Sequence, residues 1–143
     1  MIVQQLSVFL ENRAGRLDEV ATVLAENGVN ILALTLADTA DFGILRMIVS
    51  DVETAQKVLS SENFLVKTTE VIAVQVPDEP GGLEQVLKVL RERSCNVEYM
   101  YGFTGKNSGN AVMIFRFEDA KCAAIALNNA GVEVLEREQV LSW

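Results

Sequence analysis

At 143 residues, half of them hydrophobic, the chain is long enough for one ordinary domain or two small ones and too apolar for disorder. Its net charge of −8 is shared by both halves without a basic stripe, which weighs against nucleic acid, where phosphate neutralisation dominates affinity. The sequence has no apolar run of membrane-spanning length and no basic leader, and with histidine absent Cys95 and Cys122 form no metal spacing, so the expectation is a soluble cytoplasmic protein with no metal, no cofactor and two buried, reduced thiols.

Leu6, Val8 and Leu10 alternate as in a half-buried strand. Asn12, Arg13, Ala14 and Gly15 read as a turn, after which Leu17, Val20, Ala21 and Leu24 recur at helical spacing until Asn27-Gly28 stops the helix. Residues 30–37 read as a strand, 38–43 as a turn and 44–49 as a second strand. Asp51 is placed to cap a helix carrying Val52, Ala55, Val58 and Leu59. Residues 64–72 then form a strand that runs on, without a Gly/Ser/Pro linker, into Ile72, Val74 and Val76.

From there the order repeats. Asp78, Glu79, Pro80, Gly81 and Gly82 form a turn, and Leu83, Val86, Leu87 and Leu90 match the first helix at an offset of 66 residues. Gly15 and Gly81, Leu17 and Leu83, and Asn30-Ile31 and Asn96-Val97 all keep that offset. A hairpin is predicted around Gly105, Lys106, Asn107, Ser108, Gly109 and Asn110, a helix over 120–127 and a last strand over 132–141. Each half therefore reads as βαββαβ, the split-βαβ or ferredoxin-like arrangement. The predicted fold class is α+β: two fused units, 1–70 and 71–143, with antiparallel sheets and the helices on one face. Residues 44–49 and 112–117 are apolar on both faces, as in doubly covered strands. Either the other unit or a second chain must cover the open faces, and a homodimer is expected.

The two glycine turns are the strongest candidates for chemistry. Each precedes a helix whose first free N–H groups point into it, a favourable place for a carboxylate. The alternative is that the same residues only satisfy turn geometry. Both turns, with their helices and the Asn-apolar pairs that follow, resemble the ACT domain, a small regulatory module of amino-acid metabolism. The first unit is also similar to it through the run from Ala37-Asp38-Thr39 to Leu45-Arg46. The resemblance covers essentially the whole chain as two repeats. It implies binding of an amino acid at the interface between ACT units, by Asn12, Arg13, Ala14 and Gly15 with Asn30 and Ile31, and by Asp78, Glu79, Pro80 and Gly81 with Asn96 and Val97. Ala14 stands where the family usually has proline, so the second turn is expected to bind more strongly.

Other features have plainer readings. Tyr99 and Tyr101 share a strand face and suit cross-strand packing or a pocket wall. Arg46 and Arg116 pair with an acid across an interface or snorkel to solvent. Asp38 and Asp41 flank a hairpin and read as turn residues, not catalytic carboxylates. No nucleophile, metal or phosphate-loop constellation suggests an enzyme. The expected function is regulatory sensing of an amino acid or similar small metabolite, with an enzyme or regulator as downstream partner. The alternative is an interaction module or detached regulatory subunit of an amino-acid metabolic enzyme that binds no ligand.

Overall fold

In the computed structural model, which describes residues 1–103 and 109–143, the opening alternation becomes strand β1 (Val3–Glu11). The chain divides into two units, Gln4–Thr69 and a second combining Glu70–Trp143 with Met1–Val3. The predicted hairpin tip at Gly105, Lys106, Asn107 and Ser108 lies outside the described residues.

In the first unit β1 is followed by α1 (Arg16–Glu26), β2 (Ile31–Asp38), β3 (Phe42–Val49), α2 (Val52–Ser61) and the start of β4 (Leu65–Pro77). β3 lies between β1 and β2 and is antiparallel to both. Leu6 faces Met47 and Glu11 faces Phe42 on one side; Ile31 faces Val49 and Asp38 faces Gly43 on the other. Because side chains alternate across a strand, Leu6, Val8 and Leu10 share one face with Leu45 and Met47. Val20 and Leu24 of α1 and Ala55 and Leu59 of α2 bury their helices against that face. Each fully buried leucine contributes about 1.5–3 kcal/mol, so this layer dominates the stability of the unit. Asp51 caps α2, its Oδ1 accepting from the Thr54 N–H at 3.0 Å.

The second unit repeats the arrangement with the rest of β4, then α3 (Gly82–Glu92), β5 (Val97–Gly102), β6 (Asn110–Phe117) and α4 (Ala120–Asn129). β6 pairs antiparallel with β4, Ile72 facing Phe115, and with β5, Gly102 facing Met113. Asp119 caps α4 as Asp51 caps α2, accepting from the Cys122 N–H at 2.9 Å. The correspondence reaches backbone detail. A register irregularity falls between Ile31 and Ala33 in β2 and between Val97 and Tyr99 in β5, and Ser94 takes φ 53° where the first repeat has Gly28 at φ 69°.

Two expectations need correction. The strand predicted over 132–141 shrinks to one antiparallel bridge, Val134 to Val74, supported by Gln75 N–H to Glu133 O and Leu135 N–H to Ala73 O, each 2.9 Å. The chain then turns into α5 (Arg137–Leu141). Glu136 and Gln139 form a reciprocal capping box there, and that pairing starts a helix in place of a strand. The thiols are unbridged but neither is buried: Cys95 is half-buried and Cys122 is exposed, on the side of α4 away from the inward-facing Ala123, Ala124 and Leu127. On the sheet faces opposite the helices, Ala33, Ile48, Ala73, Val112 and Ile114 are buried. Phe9 and Phe42 stay open, at 37% and 58% exposure.

Gly82 is required for space. A Cβ built there would lie 2.0 Å from the Pro77 carbonyl oxygen, a backbone atom that cannot swing aside. Gly82→Ala should destabilise the protein by about 1–3 kcal/mol, the usual range for overpacking, as read from urea denaturation. Gly102→Ala is the control, since its methyl meets Met113 Sδ at an ordinary 3.7 Å. Equal stability of the two variants would remove the steric assignment.

Candidate ligand-binding site

The chain leaves β1 and enters α1 through residues 12–15. Gly15, the N-cap, sits at φ 87°, ψ −16°, and no side chain caps the helix. An L residue resists that left-handed conformation by about 1–2 kcal/mol, so glycine is explained by turn geometry. The turn is tied down from both sides. Arg13 N–H donates to Glu11 O at 2.9 Å, and its Nε pairs with Glu11 Oε2 at 3.0 Å. Asn12 reaches the other way: its backbone N–H donates to Asp41 O at 2.9 Å, and Nδ2 donates to Ala40 O at 3.3 Å and Thr39 O at 3.4 Å. The Asn12 side chain thus fastens the helix turn to the β2–β3 turn, where Thr39 Oγ1 donates to Phe42 O at 3.0 Å. Asp41 has a turn role through its carbonyl.

A cleft opens beside this turn, with Glu11, Asn12, Arg13, Arg16 and Asp38 around apolar Leu10, Leu17 and Leu36. It presents both signs of charge above an apolar floor. Arg16 is its most constrained cation. One terminal nitrogen pairs with Glu19, the guanidinium lies 4.4 Å from the centroid of the Phe64 ring, and Nε is buried with no hydrogen-bond partner. A buried N–H without an acceptor is uncommon in folded proteins and calls for an explanation.

The second turn has the same backbone and different chemistry. Gly81 sits at φ 87°, ψ −7°, again without a side-chain cap, and Asp78 N–H donates to Gly109 O at 2.8 Å just as Asn12 does to Asp41. Pro80 in place of Ala14 therefore leaves the glycine's conformation unchanged. Gly82, however, occupies the position of Arg16, so no guanidinium stands at this helix start. Asp78, Glu79, Pro80 and Gly81 are all exposed. The nearby hollow is lined by Pro77, Gly82, Gln85 and Glu133 instead. The guanidinium-bearing cleft lies at the first turn.

Within a unit the structure does not bring the Asn-apolar pairs to the turns. Asn30 lies at the far end of β2, bonded to Ser50 through its N–H to Oγ and its carbonyl to N–H, both at 2.9 Å. The seven residue steps from Ile31 to Asp38 span roughly 23 Å. Asn96 and Val97 stand likewise at the Phe117 end of β5, away from Gly102, and Asn96 lines a separate hollow with Cys95 and Cys122. The tyrosines pack: Tyr101 is buried and Tyr99 faces Arg116 across the strands. Arg116 pairs with Glu98 of its own unit at 3.2 Å and donates to Glu70 O at 3.1 Å. Among the described residues there is no cluster of three or more metal-ligating side chains, and no helix is long and apolar enough to cross a membrane.

Comparison with known proteins places these features. A family model described as an ACT domain pair matches residues 1–141. Protein BT0572 from Bacteroides thetaiotaomicron is 38% identical, and its crystal structure matches all of this chain and 98% of its own with a TM-score of 0.94. The ligand-free regulatory subunit of aspartate kinase from Thermus thermophilus shares the fold: 15% identity, 91% of this chain and 97% of that one, TM-score 0.62. The acetolactate synthase small subunit of Haemophilus influenzae is 33% identical over 89 residues, 62% of this chain and 55% of that protein. Its Buchnera aphidicola counterpart is 28% identical over 91 residues, 64% and 58%. The chain thus spans a little over half the length of these curated relatives.

Asn12 is the side chain on which the cleft's shape rests. Asn12→Ala keeps the backbone bond to Asp41 and loses both side-chain bonds. It should cost about 0.5–1.5 kcal/mol in chemical denaturation, with faster amide exchange confined to residues 39–42. An exchange pattern identical to the parent would mean that the clamp does not order the hairpin turn.

Proposed function

Because the chain belongs to the ACT domain pair family, we propose that it is a non-catalytic cytoplasmic regulator that senses an amino acid, and that the cleft at the start of α1 is the recognition site. The observation that carries this reading is the cleft at the start of α1, in which Arg16 stands with Glu11 and Asp38 over apolar side chains. An amino acid is a zwitterion. Its carboxylate suits the uncapped first turn of α1 and the Arg16 N–H, since anions are stabilised at helix N-termini. The ammonium suits Glu11 or Asp38, as a charge-assisted pair, and the side chain rests on Leu10 and Leu36.

The family's habit of binding between ACT units extends the proposal to a homodimer. A neighbouring copy's turn would then meet Asn30 and Ile31, or Asn96 and Val97, and the second turn at Asp78, Glu79, Pro80 and Gly81 would serve as a weaker site. Phe9 and Phe42, open around an apolar hollow with Ile44, support a contact with a second copy. A second reading is favoured by the similarity to acetolactate synthase small subunits: a detached regulatory subunit that acts by contact with an amino-acid metabolic enzyme.

A thermal-shift screen against the proteinogenic amino acids tests the first reading. A ligand present at 100 times its dissociation constant adds about 2.7 kcal/mol. Calorimetric titration of the responding amino acid should then show a loss of roughly 10- to 150-fold with Arg16→Gln, the worth of a hydrogen bond between charged groups. Gly82→Arg, at the equivalent position of the second unit, is a poor comparison for steric reasons, so Glu84→Gln serves as the distant control, with unchanged affinity. No response to any amino acid would leave the subunit reading in front. A response that Arg16→Gln leaves intact would move the site elsewhere.

A further inference from the structure

Cys95 follows α3 two residues before β5 begins, and Cys122 lies in the first turn of α4. Both line one hollow of the second unit together with Asn96, Phe117 and Asp119, where Cys95 Sγ donates to Arg93 O at 3.7 Å. The backbone holds them there. Cys95 N–H donates to Leu90 O at 2.8 Å, Cys122 N–H donates to Asp119 Oδ1 at 2.9 Å, and Val97 is in register with Phe117. The two thiols are unequal in access: Cys122 is exposed and Cys95 only half-buried. Burial, helped by the neighbouring Cys122 and Asp119, pushes the Cys95 thiol pKa above its ordinary value, with Arg93 acting in the opposite direction.

We propose that Cys95 and Cys122 are a redox-active dithiol, a modification site that low-molecular-weight disulfides convert to an intrachain disulfide. The exposed Cys122 thiolate attacks one sulfur of the oxidant RSSR. A Cys122–SR bond forms, the RS–SR bond breaks, and the departing RS⁻ takes a proton from water to become RSH. Cys95 gives its proton to solvent and its thiolate attacks the Cys122 sulfur, forming the Cys95–Cys122 bond and expelling the second RS⁻, which is protonated in turn. Two protein thiols and one RSSR become one protein disulfide and two RSH, so two electrons pass from the cysteine sulfurs to the oxidant. The unequal access sets the order of events, because the accessible sulfur meets the reagent and the sheltered one resolves the mixed disulfide. The product ties the start of β5 to the first turn of α4, positions 27 residues apart in sequence.

Incubation of the full chain with excess oxidised glutathione, followed by maleimide trapping and intact-mass measurement, tests the assignment. The reduced protein should take up two maleimides. The oxidised protein should take up none and carry no glutathione, and its digest should contain a peptide pair joined through Cys95 and Cys122. Cys95→Ser should stop at a stable Cys122–glutathione adduct that dithiothreitol reverses. The proposal is overturned if the parent protein ends as a glutathione adduct or a covalent dimer, or if it retains two reactive thiols.

Discussion

The rest of each unit depends on one constraint, the return of a short helix along the strand that precedes it. Val20 and Leu24 lie over Leu6, Val8 and Leu10 in the first unit, and Val86 and Leu90 lie with Ile72, Val74 and Val76 in the second. A helix of 11 residues climbs about 16 Å, more than half the length of the strand it covers. The chain therefore enters the helix at one end of the sheet and begins the next strand at the other. This geometry separates residues 12–15 from Asn30 and residues 78–81 from Asn96. Motifs that look like parts of one site in the sequence end up at opposite ends of a unit.

The same constraint makes the turn before each helix tight. A left-handed residue reverses the chain within a few positions, and glycine is the residue that adopts it cheaply. Gly15 and Gly81 share φ 87°, so the two turns differ mainly in their side chains. One substitution then decides a great deal. Arg16 projects a guanidinium onto Phe64 and into the cleft, while Gly82 must stay bare to clear the Pro77 carbonyl. The first helix start is thereby charged, and the second is closed by backbone. Duplication has kept the scaffold and let its chemistry diverge.

Divergence is also visible at the far ends. In the first unit Ser50 accepts from and donates to Asn30, an ordinary closure of the sheet edge. The equivalent region of the second unit holds a polar hollow with two thiols, Asp119 and Asn96. The cap that starts α4 fixes Cys122 by its own N–H, so helix capping and thiol placement are the work of one carboxylate.

The sequence by itself determined the elements, their order and the repeat, because hydrophobic periodicity, Asx caps and glycine stops are local properties and occur twice at one offset. It also marked Gly15 and Gly81 as special positions and Asp51 as a cap. The last strand failed because residues 132–141 have a strand-like composition, whereas Glu136 and Gln139 are placed to cap a helix, a cue that was present at the right spacing. Tertiary structure decided the rest. No local pattern says that the Asn12 amide reaches Ala40, that Arg16 stacks on Phe64, or that Cys95 and Cys122 line one hollow. Those outcomes depend on which strands become neighbours, and strand pairing brings together residues tens of positions apart that share no local signal.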